Sequence, residues 1–435
     1  MDNSIFEIIK KNPNESHSAF LERTSNLNVD GMLPSILARP RTVDQIAEVL
    51  NFASENCLSV LPSGGGTKRS LGNIPNAVDI LMDLSCLHGL VTHEPSDLTA
   101  TFLAGTSLTD VQSILSGSNQ FLPLESPIPS RATLGGILSV GMSGSNYLRY
   151  GLPRDWVLGV KVVNADSSII KVGGQVVKNV TGYDLTKMYV GSLGTLGVIA
   201  ECTFKLAPKP KERMTRLIYG FDNIDSAIQV MDNILEDYGL VRGLVLIDQE
   251  VESRLDIGVE GYAILVLIDG TKRTIRANCE SLNAFVGHHK VKTVGDHYWQ
   301  QMLNLGWIEN GRPVMNILLR FLPSQLKDVL DMVNGIQLQE MKKGLIADPG
   351  IGKIRLFFWG ELGAKRFHKI ISTIAQISST AEPSYEYLIE HCPVILKKTV
   401  DIWGQEPDAL ELMMDIKNEL DPKKVLNPGR FVGGI

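Results

Sequence analysis

The chain has 435 residues, 44% of them apolar and 21% charged, with a formal net charge of −6. That length is too great for one hydrophobic core and implies two or three domains of a soluble, globular kind. The charge is acidic and dispersed, with no basic run able to track a phosphate backbone, so no nucleic-acid partner is expected.

Met1 to Glu7 shows no basic region ahead of a long apolar segment, so no secretory leader is expected. The longest clean apolar run, Ala263 to Ile268, is far short of a membrane span, leaving peripheral membrane association at most. Five scattered cysteines (Cys57, Cys86, Cys202, Cys279, Cys392) with no Cys-x-x-Cys fit a reducing compartment. No disulfide frame, no metal and no iron–sulfur site in this chain is expected, and the expected location is cytoplasmic.

Residues 1–35 read as a helical N-terminal extension. Thr42 caps a helix running to about Asn56, Gln45 completes a capping box, and Val43, Ile46, Ala47 and Leu50 make its apolar stripe. A short strand, Leu58 to Leu61, leads into Pro62-Ser63-Gly64-Gly65-Gly66-Thr67-Lys68. Three consecutive glycines either bare a row of peptide N–H groups that suits a pyrophosphate, or make a flexible turn. Neither Gly-x-Gly-x-x-Gly nor Gly-x-x-x-x-Gly-Lys-Ser/Thr occurs, which disfavours a Rossmann dehydrogenase or a P-loop kinase. Strands follow at Val78 to Leu84 and Leu98 to Gly105, then a helix from Thr106 to Leu115.

From Gly135 to Gly197 there are twelve glycines in 63 residues, about twice the density of the whole chain, interleaved with apolar runs such as Val157 to Val163. Such glycines mark either tight turns in a β domain or a backbone that approaches a large flat ligand. Asn164 to Ser167 reads as a hairpin turn, and Pro208 and Pro210 close the first domain, 36–210. Residues 211–412 alternate strands and helices in two β-α-β-β-α-β units, predicting an antiparallel sheet with helices on one face. The strands are expected near 216–220, 243–247, 262–268, 314–319, 345–348, 353–359 and 385–390. Residues 413–435 form a closing segment.

With Ala132-Thr133-Leu134-Gly135-Gly136 after the first glycine loop, residues 36–210 resemble the FAD-binding domain of the vanillyl-alcohol oxidase (PCMH) type. The run Gly173 to Leu185, the run Gly191 to Ile199, and the ending Asn427-Pro428-Gly429-Arg430 narrow this to the glycolate oxidase and D-lactate dehydrogenase branch. The resemblance implies an α+β fold, with a two-part FAD-binding domain, an antiparallel-sheet, ferredoxin-like cap, and a C-terminal segment that returns to the flavin. It implies that Pro62, Ser63, Gly64, Gly65, Gly66 and Thr67 hold the pyrophosphate. Thr133, Gly135, Gly136, Gly141 and Ser145 would line a second loop; Val198, Ile199 and Asn427 complete the FAD contacts. Thr67 stands where some relatives tether the flavin through histidine, so attachment is expected to be non-covalent.

Self-sufficient relatives resemble one another in a His-Gly-Asp-Gly-Asn-x-His segment that binds a metal beside the substrate; it is absent here. The chain is therefore more similar to the smaller FAD-binding subunits of bacterial glycolate oxidase complexes. That implies a second flavin subunit and an iron–sulfur subunit as partners, and a small 2-hydroxy acid such as glycolate as substrate. A self-sufficient FAD dehydrogenase or oxidase of another hydroxy acid, alcohol or sugar, and a flavin-less structural subunit, are the alternatives. Weak catalytic candidates are His391, as a base, and Arg320 and Arg355, as carboxylate clamps; a packed histidine and cap ion pairs are the plainer readings. His288-His289 reads as a solvated turn. Trp299, Trp307, Trp359 and Trp403 suit a core or an interface as well as flavin stacking.

Overall fold

A computed structural model describes residues 5–10, 16–175, 183–237, 241–308, 311–336, 340–380 and 384–435. The chain divides into two compact units. One takes Met1–Met142, Leu152–Pro208 and Lys397–Ile435; the other takes Ser143–Gly151 and Lys209–Leu396. The C-terminal return thus begins sixteen residues before the expected 413, and a nine-residue excursion of the first domain belongs to the second unit.

In the first unit, Thr42 Oγ1 accepts the Gln45 N–H at 3.2 Å while Gln45 Oε1 accepts that of Arg41 at 2.7 Å. These caps start the helix Val43–Glu55, which buries Ile46, Val49, Leu50 and Ala53. Each such aliphatic side chain contributes about 1.5–3 kcal/mol on burial. They pack on a four-stranded sheet in the order Phe6–Ile8, Ile36–Ala38, Ile80–Asp83, Val60–Ser63. The first pair is antiparallel and the others parallel. Among the described residues this corrects the expected helical extension: Phe6–Ile8 is an edge strand, and helix is found at His17–Thr24 with a 3-10 turn at Ser25–Leu27. A three-residue strand is too short for period-two alternation to show.

The five-stranded antiparallel sheet runs Leu90–Glu94, Thr99–Leu103, Val198–Lys205, Val157–Val163, Ile169–Gly173. Its core contains Phe102, Phe204 and Tyr189. The hairpin turn lies at the expected place: Ser167 N–H donates to Asn164 O at 2.9 Å and Asn164 N–H to Ser168 O at 3.0 Å. The end of the chain joins the first sheet, Val60 N–H donating to Val425 O at 2.7 Å and Asn427 N–H to Val60 O at 2.9 Å. Asn427 is thereby placed beside the strand that feeds the first glycine loop.

The second unit is one eight-stranded antiparallel sheet, in the order Lys290–Val294, Glu212–Tyr219, Ala263–Gly270, Gly243–Ile247, Lys342–Asp348, Lys353–Trp359, Met315–Arg320, Glu386–His391. Each half has the ferredoxin-like strand order 4-1-3-2. The halves meet at their second strands, through Leu246 opposite Ala347 and Ile247 opposite Ile346. Helices do not occupy one face alone, which corrects the expectation. The short helices Gln249–Leu255 and His297–Asn304 supply Val251, Leu255, Trp299 and Met302 to the face bearing Leu217, Val245, Leu265 and Phe357. Alternate residues Ile218, Leu244, Ile264 and Val266 are also fully buried, as in a sheet covered on both sides. No helix among the described residues is long and apolar enough to cross a membrane.

Candidate functional site

Strand Val60–Ser63 ends inside the first unit, and the chain turns directly into Gly64. There the first glycine loop, residues 62–69, meets residues 132–142, residues 193–199 and the C-terminal Asn427 and Arg430 around one cleft. The cleft is open to solvent along part of its length.

The glycines of the first loop have a specific cause. A Cβ on Gly64 would lie 2.0 Å from Thr133 Oγ1, and one on Gly65 only 1.7 Å from Arg131 O. Both missing side chains point at the second loop, so glycine lets the two loops lie directly on each other. Arg131 fastens the contact by donating from Nη2 to Gly65 O at 3.0 Å. Among the described residues, none accepts a hydrogen bond from the N–H of Gly65 or Gly66, which leaves successive donors of the kind that makes an anion nest.

Cations surround this loop. Arg69 donates from Nε and Nη2 to Ser63 Oγ at 3.2 and 3.1 Å, and Lys68 and Arg430 also line the cleft. Burial holds the Arg69 guanidinium below its ordinary pKa; Asp83 opposes that, and the neighbouring Arg131 and Arg430 charges add to it. Like charges gathered at one end of a cleft favour an anionic ligand such as a diphosphate. Asn427, φ 51°, donates from Nδ2 to Leu193 O at 2.7 Å, and its buried Oδ1 has no partner among the described residues. These features fit the nucleotide end of FAD.

Of the residues expected to contact FAD, Pro62, Ser63, Gly64, Gly65, Gly66, Thr67, Thr133, Gly135, Gly136, Val198, Ile199 and Asn427 line the cleft. Gly141 and Ser145 are not among its lining residues. Gly141 ends the helix Leu134–Val140 in the left-handed region, φ 67°, its N–H on Ile137 O at 2.9 Å. Ser145 belongs to the second unit and packs beside Gly243. The stretch Val176 to Gly182 of the expected flavin motif lies outside the described residues. Arg69, Glu125, Met142, Leu193 and Gly194 line the cleft without having been singled out as contacts. Gly194 stands in a glycine cluster that could have flagged it, whereas nothing local marks Glu125.

The catalytic candidates Arg320, Arg355 and His391 belong to the second unit. Arg355 donates from Nε and Nη2 to the two oxygens of Glu390 at 2.6 and 2.9 Å, and Asn316 Nδ2 donates to the same carboxylate at 3.1 Å. Glu390 is fully buried, so Arg355 is committed to it. Arg320 is half-exposed, 3.7 Å from Glu386, and His391 ends the strand Glu386–His391. Trp299, Trp307 and Trp359 are core residues of the second unit, and Trp403 donates from Nε1 to Arg430 O at 3.1 Å in the first. His288 is exposed, whereas His289 is half-buried, its Nδ1 3.1 Å from Gly220 O and its ring 4.5 Å from that of Phe221, so the turn is solvated on one side only.

Residues 34–173 match the family model described as an FAD binding domain, and residues 403–431 the one described as the C-terminal domain of FAD linked oxidases. A D-2-hydroxyglutarate dehydrogenase of Xanthomonas citri pv. viticola is 30% identical over 439 residues, covering 92% of this chain and 89% of that protein. Glycolate oxidase subunit GlcD of Bacillus subtilis is 26% identical over 425 residues, covering 92% and 89%. Glycolate oxidase subunit GlcE of Escherichia coli is 33% identical over 171 residues, covering 39% and 48%. The solved structure of p-cresol methylhydroxylase with substrate bound superposes with a TM-score of 0.75 at 15% identity, over 98% of this chain and 94% of that one.

Proposed function

Since this chain belongs to the FAD-linked oxidases and takes FAD as cofactor, we propose that it is the FAD-binding component of a complex that oxidises a small 2-hydroxy acid. Glycolate, giving glyoxylate, is the first candidate, with electrons passed on to an iron–sulfur partner subunit. Bound FAD supplies the two-electron acceptor for an alcohol C–H bond. The chain's own residues bind and orient it: the 62–67 loop takes the diphosphate on its peptide N–H groups, assisted by Arg69. Thr133, Gly135, Gly136, Val198 and Ile199 shape the remaining walls. Attachment is non-covalent, as the cleft lining includes no histidine, cysteine or tyrosine among the described residues.

The observation that carries this reading is the convergence of both glycine loops and Asn427 on one cleft. A subunit role, rather than independent catalysis, is supported by the absence of the His-Gly-Asp-Gly-Asn-x-His segment and by the commitment of Arg355 to Glu390. Anaerobic mixing of the purified, flavin-loaded chain with glycolate, D-lactate and D-2-hydroxyglutarate tests it. Slow or no flavin bleaching alone, with reduction restored in the native complex, is expected. Bleaching at enzyme-like rates by the chain alone would refute the subunit role. It would favour the second reading, a self-sufficient 2-hydroxy-acid dehydrogenase, which the near-full-length likeness to D-2-hydroxyglutarate dehydrogenases supports.

A further inference from the structure

Three segments far apart in sequence meet behind the first glycine loop. Asp30, its side chain 4% exposed, receives Arg430 Nη1 at 2.6 Å and Lys397 Nζ at 2.7 Å. The same two cations grip the backbone just past the loop. Arg430 donates from Nη2 to Arg69 O at 2.5 Å and to Leu71 O, and from Nη1 to Asn73 O at 3.3 Å. Lys397 donates to Ser70 O at 2.9 Å. The return contact is made by Asn73 N–H, which donates to Arg430 O at 2.8 Å. A nearly continuous row of carbonyls is thus held by two buried cations, and a single carboxylate bonds to both.

The carboxylate itself is set rigidly. Asp30 occupies the left-handed region, φ 50°, at the tip of a turn in which Val29 and Met32 exchange backbone hydrogen bonds at 2.8 and 2.9 Å. Gly31 N–H donates to Asn28 Oδ1 at 2.8 Å. Aspartate tolerates that conformation better than most residues. Without a counter-charge, a guanidinium and an ammonium at this depth would be strongly disfavoured and would reorient toward water. The carbonyls of residues 69–73 would then lose their anchors. Asp30 does not line the cleft.

We propose that Asp30 is a positioning residue for the cofactor: through Arg430 and Lys397 it fixes residues 69–73 and so pre-organises the neighbouring 62–67 loop for a diphosphate. The proposal rests on the reading that this loop receives the FAD diphosphate. Pre-organisation contributes to affinity by removing the ordering cost at the moment of binding.

The full-length apoprotein and its Asp30→Asn, Asp30→Glu and Lys397→Met variants are titrated with FAD and, separately, with ADP, which carries the diphosphate without the flavin ring. Titrations are run at a temperature where circular dichroism shows each variant folded. Asp30→Asn is expected to lower the melting temperature and to weaken FAD and ADP by the same factor, about tenfold or more. Asp30→Glu recovers most of that loss. Lys397→Met, which spares the Asp30–Arg430 pair, weakens both ligands by a few-fold and keeps the test available if Asp30→Asn does not fold.

A lower melting temperature with unchanged affinities in the folded variants would reduce Asp30 to a stability role and overturn the proposal. Loss of FAD affinity with ADP unchanged would overturn it too. So would tighter binding, which would make the released Arg430 a direct ligand. Wild-type protein that binds FAD but not ADP would remove the diphosphate from this loop. Wild type that binds neither would sink the FAD reading itself, and this inference with it.

Discussion

Replacing Gly65 by alanine tests the loop-on-loop contact on which the cleft depends. The added Cβ would lie 1.7 Å from Arg131 O and 2.6 Å from Arg131 C. Both are backbone atoms, so no side-chain rotation relieves the overlap. Arg131 is itself tied down, its N–H donating to Ile128 O at 2.9 Å, as does that of Ala132. Heavy atoms rest favourably at about 3.5–4.0 Å, so the loops must part by roughly 2 Å. Inserting a methyl group into a packed site costs about 1–3 kcal/mol, and an immovable partner puts this case near the upper end. The Arg131 to Gly65 O hydrogen bond at 3.0 Å is lost as well, worth about 1 kcal/mol. If most of this falls on the bound state, FAD affinity drops about a hundredfold. The assay is fluorescence titration of folded apoprotein with FAD, beside Gly363→Ala, a glycine with nothing within 4 Å of its added Cβ. Wild-type affinity in Gly65→Ala would refute the role given to the loop contact.

The proposed non-covalent attachment predicts that acid precipitation leaves the flavin in the supernatant; a fluorescent protein band on a denaturing gel would contradict it. Arg355→Met leaves the fully buried Glu390 carboxylate without its bidentate partner and is expected to cost about 3–5 kcal/mol in a denaturant melt. The flavin spectrum is expected to be unchanged; loss of substrate affinity at wild-type stability would instead favour a substrate clamp. Burial pushes the Asp248 carboxyl up to about 6, against hydrogen bonds from the backbone of Val251, at the start of helix Gln249–Leu255, and of Leu345. The folded state therefore holds this proton more tightly than the unfolded chain, and the group's contribution to stability falls as pH rises from about 4 through 6. Asp248→Asn is expected to be more stable than wild type at pH 7–8, by at most ~3 kcal/mol, with the gap closing near pH 4. A gap that does not change with pH would contradict the burial argument.

The legible parts of the fold are those whose signal is local and repeated. Helix Val43–Glu55 and the strands Gly243–Ile247 and Lys353–Trp359 carry long apolar patterns and stand where the sequence places them. Phe6–Ile8 and Gln249–Leu255 are too short for any period to emerge, and Lys290–Val294 is an edge strand whose lysines mask its alternation. In the site, the glycine clusters reveal the loops but not the function of each glycine. Gly65 serves loop packing and Gly141 a helix end, two uses that look alike in a sequence. The Asp30–Arg430 pair spans 400 positions and so leaves no trace in spacing. Arg355 reads equally well as clamp or ion pair until Glu390 is seen against it.

The most direct measurement is a visible-absorption titration of the purified apoprotein with FAD. Saturation at one flavin per chain, with a shifted and structured flavin band and a yellow protein after desalting, is the expected result. A chain that stays colourless after desalting, with the free-flavin spectrum unchanged throughout, would show that the cleft between the glycine loops does not hold the cofactor.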